Sequence, residues 1–533
     1  MRKSKLAALS LVFCAALGLA ACAGTARAQN TARALFCTPK KIESMQEKRT
    51  QNKEDLIDTI SIDGIPLLKD KVTGCFYYSV PQGQKTGKLE ISWTGKDRVK
   101  LAILQNFEGK DLPSGQAVEL LAYTKTEWQK IELVCTPLPM MSLEVEGNEE
   151  EIPKETSVPV QMTLYDNRQT AGMHMVNAEG NIHVRGKGSS NYPKKGYRLT
   201  LTHSNGTEND MALLGLRKDG DWILYADYAE TDKVRQVYTA KLWKEGCGQD
   251  NAFGVQTGNE YKFLELFLNG RYWGLYALGY PIDQKEWELG EGEYSYFKEN
   301  PMVTETEVDY SQAGEVPGYE LAGGATEGKQ TDEIWQPLKD YYATLFDTLW
   351  EDRAVLYTLA DQNNAIDAWL FTDLIQGKDQ MLSDERLYNF FITVKQSEEG
   401  PKVLYTPWDF DRTWGYVLGD NNANNFELTP KDHVEMTLNP VDRLIAWEET
   451  DMIEAVQRHW KELRKTSWSN ENAQALLDGY EQDIFASGAY ERDYERWPDS
   501  GHNAGQTDLK DFRKYVTERF AEMDRYMDKL GIK

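Results

Sequence analysis

The sequence predicts an α+β protein in which strands come first and helices follow. Short apolar and aromatic runs recur about every ten residues between 61 and 136. Longer alternating runs with hairpin signals occupy 137 to 284, and after 331 the apolar period lengthens to helical spacing. Runs of strands followed by runs of helices, without internal repeats, fit α+β better than an alternating α/β chain. At roughly 150 residues per domain, 533 residues leave room for three or four domains.

The first 21 residues read as an export signal. Arg2, Lys3 and Lys5 precede an apolar run, Leu6 to Ala21, broken only by Ser10. That run is too short and too alanine-rich for a comfortable membrane span. It ends in Leu19-Ala20-Ala21-Cys22, which is similar to a bacterial lipobox. The similarity implies that Cys22 is lipidated and becomes the mature N-terminus; an ordinary signal peptide cleaved a few residues later is the alternative. Residues 22–60 then read as a tether, with a helix-like patch from Ile42 to Ile60.

Residues 61–136 predict a small β-sandwich-like module, with strands at Cys75 to Val80, Leu89 to Trp93, Val99 to Leu104, Val118 to Tyr123 and Ile131 to Val134. The acidic stretch Glu144 to Glu155 is expected to be a hairpin tip, because Leu143 and Val158 to Leu164 look like its flanking strands. Further on, Ile182 and Val184 alternate with polar residues, as do Tyr197, Leu199 and Leu201. Asn269-Gly270 between two apolar runs is a strong two-residue hairpin signal. Thr231 to Gly246 predicts a helix with Val234, Val237, Tyr238 and Leu242 on one face.

Residues 285–330 are rich in Gly and Glu, without clear periodicity, and read as an insertion or lid. From 331 to 533, helical spacing recurs in Trp335, Leu338, Tyr342, Leu345 and Leu349, and again in Phe512, Tyr515, Phe520, Met523 and Leu530. These stripes are core packing rather than a cofactor box.

Composition excludes more than it identifies. With 85 acidic against 60 basic side chains, the formal charge is −25, which repels polyphosphate backbones and argues against nucleic acid as a partner. An apolar fraction of 41% is enough to build a core, so wholesale disorder is excluded. Of six cysteines, Cys14 and Cys22 belong to the export signal, while Cys37, Cys75, Cys135 and Cys247 stand far apart without a C-x-x-C pair. Zinc is therefore not expected from spacing, and the histidines show no metal spacing either. Cys75 and Cys135 bracket the β module as one candidate disulfide, although four cysteines allow three full pairings and free thiols as well.

Three segments carry chemistry. The first, Arg185-Gly-Lys-Gly-Ser-Ser-Asn-Tyr-Pro-Lys194-Lys195, places a Gly/Ser-rich turn before two lysines, so that backbone N–H groups and a lysine can meet phosphate oxygens. It lacks the Gly-Lys-Ser/Thr spacing of a Walker A loop. The second, Asp384-Glu-Arg-Leu-Tyr-Asn389, has the Asp-x-x-x-x-Asn spacing in which protein kinases hold a catalytic Asp and a magnesium-binding Asn. The third, Pro407-Trp-Asp409-Phe-Asp411-Arg412, follows a strand and supplies hard oxygen ligands suited to magnesium. A structural calcium loop is the competing reading of these acids. No G-x-S-x-G elbow or zinc motif supports a hydrolase.

Taken together, these segments resemble the CotH family of secreted, spore-coat-type atypical protein kinases. The run RGKGSSNYPKKGYRLTL is similar to that family's RGNSSW-x-PKK-x-YRLKL signature, and PWDFDRTWG, Trp222-Ile-Leu-Tyr-Ala and Leu268-Asn-Gly-Arg-Tyr-Trp-Gly follow the family's pattern. The resemblance covers about residues 137 to 533. It implies a bilobal protein-kinase-like fold, a β-rich N-lobe over 137–284 and a mainly helical C-lobe over 331–533, that binds ATP with Mg2+ (or Mn2+) and phosphorylates Ser/Thr. Carried over, Asp384 is the catalytic Asp, with Asp379 as the alternative. Asn389, Asp409 and Asp411 are the metal ligands. Arg185, Lys194, Lys195 and Arg235 contact the nucleotide, and Lys195 is preferred as the phosphate lysine because it shares strand parity with Tyr197 and Leu199.

One departure stands out: where the family carries a glutamate, this chain has Tyr280. The functional expectation is an exported, lipid-anchored kinase acting on surface or co-secreted proteins, touching the membrane only through its anchor. The alternative is a non-catalytic adhesin or envelope and coat assembly protein that retains the fold. The module at 61–136 leaves carbohydrate open as a further partner.

Overall fold

A computed structural model describes residues 29–31, 35–81, 90–104, 115, 117–148, 151–168, 174–383, 385–415 and 428–531. Helix and strand are nearly balanced, at about 31% and 30%, with mostly antiparallel sheets and helices concentrated towards the C-terminus. That distribution makes it an α+β protein. Cys22 lies outside the described residues, and so does Asp384. Among the described residues no helix is long and apolar enough to cross a membrane.

The chain divides into two compact units, one within Met1–Pro66, Leu89–Gln105 and Leu120–Lys130, the other within Leu67–Lys88, Asn106–Glu119 and Ile131–Lys533. The stretch at 61–136 is thus shared between two units rather than forming one sequential block. In the first unit, Gln29–Thr31, Ile91–Gly95, Ile57–Ile62 and Ile65–Pro66 form one sheet. Residues 100–103 of this unit pair antiparallel with 120–123. The helix Pro39–Glu47 starts where Thr38 accepts a hydrogen bond from the Lys41 amide at 3.3 Å, and its Ile42 and Met45 pack on Cys37, Ala102 and Leu121.

The second unit contains a closed barrel. Its strands are β1 (Met140–Val145), β2 (Val158–Asp166), β3 (His174–Arg185), β4 (Gly196–Thr202), β5 (Asp221–Tyr225), β6 (Tyr261–Leu268) and β7 (Arg271–Gly279), in the spatial order β1-β2-β3-β4-β5-β7-β6. Closure comes from parallel pairing of β6 with β1 and leaves no free edge. Alternate side chains, including Leu143, Met162, Ile182, Leu199, Leu264 and Leu278, fill the interior. The acidic stretch after Leu143 is a hairpin tip, since Val145 pairs with Val160 across it. Asn269 and Gly270 both adopt positive φ (51° and 71°), as the tight turn between β6 and β7 demands.

Between β5 and β6 lies α1 (Arg235–Gly246), four residues shorter at its start than the periodicity predicts. Residues 285–330 are more ordered than their composition predicts: β8 (Tyr294–Lys298) and β9 (Tyr319–Gly323) join β10 (Phe390–Ser397) and β11 (Gly400–Pro407) in the sheet β9-β8-β10-β11. These strands are short and separated by glycines, so their period is hard to see. The remaining helices include α2 (Thr331–Asp347), α3 (Gln362–Leu374), α4 (Pro440–Ala446), α5 (Thr450–Lys465), α6 (Asn470–Glu481), α7 (Ala489–Arg496) and α8 (Lys510–Lys529). The stripes Trp335–Leu338–Tyr342–Leu345 and Phe512–Tyr515–Phe520–Met523 sit in their shared core.

The Cys75–Cys135 disulfide is not formed, and Cys37, Cys75, Cys135 and Cys247 are all free thiols. Cys135 is buried in a strand that runs parallel to Phe76–Ser79 with Tyr78 as its neighbour, whereas Cys75 precedes that strand and faces Glu132 at 3.6 Å.

Candidate functional site

A cavity of about 400 Å³ opens in the second unit, a volume in the range of small-molecule sites. One wall is the Gly/Ser-rich turn between β3 and β4, with Arg185, Lys187, Ser189 and Lys194. Facing it are Asp379, Asp409, Asp411 and Arg412, and Tyr225 to Ala229 close a third side. Cations from one segment therefore confront carboxylates from another across this space.

The turn is shaped by its glycines: Gly186 has φ 97°, and a Cβ there would sit 2.2 Å from Ser189 Oγ. Beyond it, Lys194 turns inward and is almost fully buried. Its Nζ donates to Leu275 O at 2.6 Å and lies 2.9 Å from Asp493 Oδ1, over the Tyr276 ring at 4.7 Å. Burial pushes the Asp493 carboxyl up, but Lys194 and His502 beside it outweigh burial and hold it at about 2. The strand-parity preference for Lys195 is overturned, because β4 begins only at Gly196. Lys195 lies before the alternation starts, and its Nζ caps the turn by donating to Ser190 O at 2.8 Å. Arg235 is not part of the cavity lining; it is buried against Glu230 at 2.6 Å and Asp232 at 2.8 Å.

On the acidic side, β11 runs into the Trp408–Asp411 turn, where Asp409 adopts φ 61°. Gln380 holds that turn by donating to the carbonyls of Trp408 and Asp409 at 2.8 and 2.6 Å, and Phe410 N donates to Gln236 Oε1 at 2.6 Å. Positive φ also occurs at Asp227 (45°), a second residue of the cavity lining. Burial, chiefly, raises Asp409 to about 6 against the attraction of Arg185. Asp411 is pushed up well above the usual carboxylate range by burial and by Asp409.

Asp379, the alternative in the sequence reading, lines the cavity. Burial raises its carboxyl, while Arg412 (Nη1 to Oδ1, 3.4 Å) and Asn389 (Nδ2 to Oδ2, 3.0 Å) pull it back. Asn389, expected as a metal ligand, is buried outside the cavity lining, and its Nδ2 donates to the Asp379 carboxylate at 3.0 Å.

Asp409 and Asp411 fit a magnesium ion by their chemistry, being hard oxygen donors whose mutual repulsion a cation relieves. Among the described residues the acidic groups whose ligand atoms converge within 4.8 Å lie elsewhere, so the cavity carboxylates do not close into a protein-only cage. That is consistent with an ion held by one or two carboxylates together with substrate phosphates.

Sequence reasoning missed Asp227, whose Oδ2 is buried without a hydrogen-bond partner among the described residues and which lines the same cavity. Burial and then Glu230 push its carboxyl well up. Asp493 and His502 were missed as well; Asp493 lies 299 residues beyond Lys194, and no local pattern connects them. Tyr280, the family departure, is buried away from the cavity between Arg217 (4.2 Å from its ring) and Lys244.

The structure is thus an α+β body with a cavity lined by cations and carboxylates. The family model described as CotH kinase protein matches residues 182–523, more than half of the chain. The chain belongs to the CotH kinase family. No curated protein matches it closely enough to add a relative.

Proposed function

We propose that this chain is an exported, lipid-anchored protein kinase of the CotH type that transfers the ATP γ-phosphoryl to Ser/Thr of surface or co-secreted proteins. The observation that carries the reading is the cavity in which Arg185, Lys187 and Lys194 face Asp379, Asp409 and Asp411. Magnesium held by Asp409 and Asp411 would offset phosphate charge. Lys194, kept in place by Asp493, contacts the phosphates, and the Gly186–Ser189 turn offers them backbone N–H groups.

Asp379 accepts the proton of the acceptor hydroxyl as the hydroxyl oxygen bonds to the γ-phosphorus and the bond from that phosphorus to the β-bridging oxygen breaks, releasing ADP. Burial raises this carboxyl, which strengthens it as a base, and Asn389 and Arg412 fix its direction. Cys22 would anchor the mature chain, leaving the membrane contact to lipid alone. The departure at Tyr280 gives little support to a non-catalytic reading, because this residue lies outside the cavity lining.

The test is incubation of the chain lacking its first 21 residues with Mg2+ and γ-labelled ATP. Phosphate incorporation that disappears in Asp409→Ala is expected; no nucleotide binding and no incorporation by the unaltered chain would sink the reading. Asp379→Asn and Asp384→Asn, compared side by side, decide the base, with loss expected in Asp379→Asn.

A further inference from the structure

Away from the cavity, three side chains from distant parts of the second unit converge. Asp250 follows α1, Asp367 lies within α3, and His459 lies in the second half of α5. Their ligand atoms are all within 4.8 Å of one another. His459 Nε2 is 2.6 Å from Asp367 Oδ1 and 3.5 Å from Asp250 Oδ2.

An ordinary ion pair accounts for only part of this. Asp367 is fully buried, and its second oxygen, Oδ2, has no hydrogen-bond partner among the described residues. Leaving such an atom unpaired is costly, and an unexplained one points to a missing ligand. Two carboxylates also oppose one imidazole. Cys247, buried at the end of α1, places its thiol beside Asp367. Asp250 is oriented from outside by Asn363, whose Nδ2 donates to its Oδ1 at 2.8 Å, the kind of supporting bond that metal-ligating carboxylates receive.

We infer that Asp250, Asp367 and His459 form a binding site for one divalent transition-metal ion of the zinc type, with the Cys247 thiol next to it as a further donor. One imidazole nitrogen with two carboxylate oxygens is a borderline donor set that suits zinc better than magnesium, and a thiol strengthens that preference. Entry is open, because the Asp250 side chain is 38% exposed and that of His459 16%. The ion would displace the His459–Asp367 hydrogen bond, satisfy Oδ2 of Asp367, and tie the loop after α1 to α3 and α5. Spacing could not reveal the site, since 92 residues separate Asp367 from His459.

The test is equilibrium dialysis of the full chain, purified without chelator, against zinc chloride, with metal content read by mass spectrometry. One zinc per chain is expected, with affinity weakened about tenfold or more in His459→Gln and in Asp250→Ala. Asp250 sits at the exposed rim, so its variant folds even where His459→Gln does not. No zinc retained by the unaltered chain overturns the assignment in favour of a plain ion pair, and so does retention undiminished in both variants. Displacement of zinc by equimolar magnesium overturns the stated metal class.

Discussion

Replacing Asp493 by Asn removes the anion that holds Lys194 and thereby tests how the cavity is built. Asp493 and Lys194 are both essentially inaccessible, 2.9 Å apart, and a second buried lysine, Lys233, lies close by. The fall of the Asp493 carboxyl from 3.8 to about 2 means that its surroundings favour the charged form by roughly 2 to 3 kcal/mol. An Asn oxygen can still accept from Leu275 N, now 2.9 Å from Oδ1, so that bond survives. What is lost is the partner of a buried ammonium, a change that costs about 3 to 5 kcal/mol in proteins. Both routes converge on about 3 kcal/mol. For a unit this large, with unfolding entropy near 2.1 cal/mol/K per residue, that lowers Tm by only a few degrees. Urea denaturation is therefore the sharper assay. Mg-ATP affinity should fall in parallel, because Lys194 is no longer held in place. A loss under 1 kcal/mol, or unchanged nucleotide affinity, would refute the view that this pair positions the phosphate lysine.

Asp409→Asn should abolish phosphoryl transfer while raising metal-free stability. The group is raised to about 6, so its charge is a burden above that pH; with the open cavity screening it, the gain is about 1 to 2 kcal/mol, readable by thermal shift without magnesium. His502 is held down at about 4 by burial and by Lys233, so the folded state excludes a proton that the unfolded chain binds below pH 6.5. Its contribution is therefore complete above pH 6.5 and lost as pH falls towards 4, and His502→Gln should flatten that limb of the stability–pH curve. Tyr280→Glu, which restores the family residue, should leave kcat within about twofold, since position 280 is outside the cavity lining; a large gain in kcat would contradict this placement.

Much of the fold was legible locally. The β6–β7 hairpin was written in Asn269-Gly270, the acidic tip in its flanking strands, and the helical core in stripes such as Phe512 to Met523. Each rests on interactions a few residues apart, where period and turn chemistry act directly. The strands β8 and β9 were missed because pairing partners, not their own pattern, make them strands.

The sequence by itself determined the α+β class, the family, and five of the charged residues that line the cavity: Arg185, Lys194, Asp379, Asp409 and Asp411. Only the tertiary structure decided their geometry. It turned Lys194 rather than Lys195 inward, set Asn389 behind Asp379, and withdrew Arg235 into the core. It also supplied Asp493 to Lys194 and brought Asp250, Asp367 and His459 together. The physical reason is the same in each case. Buried charges take partners from whichever segments the chain's closure brings near, and those segments need not be neighbours in sequence.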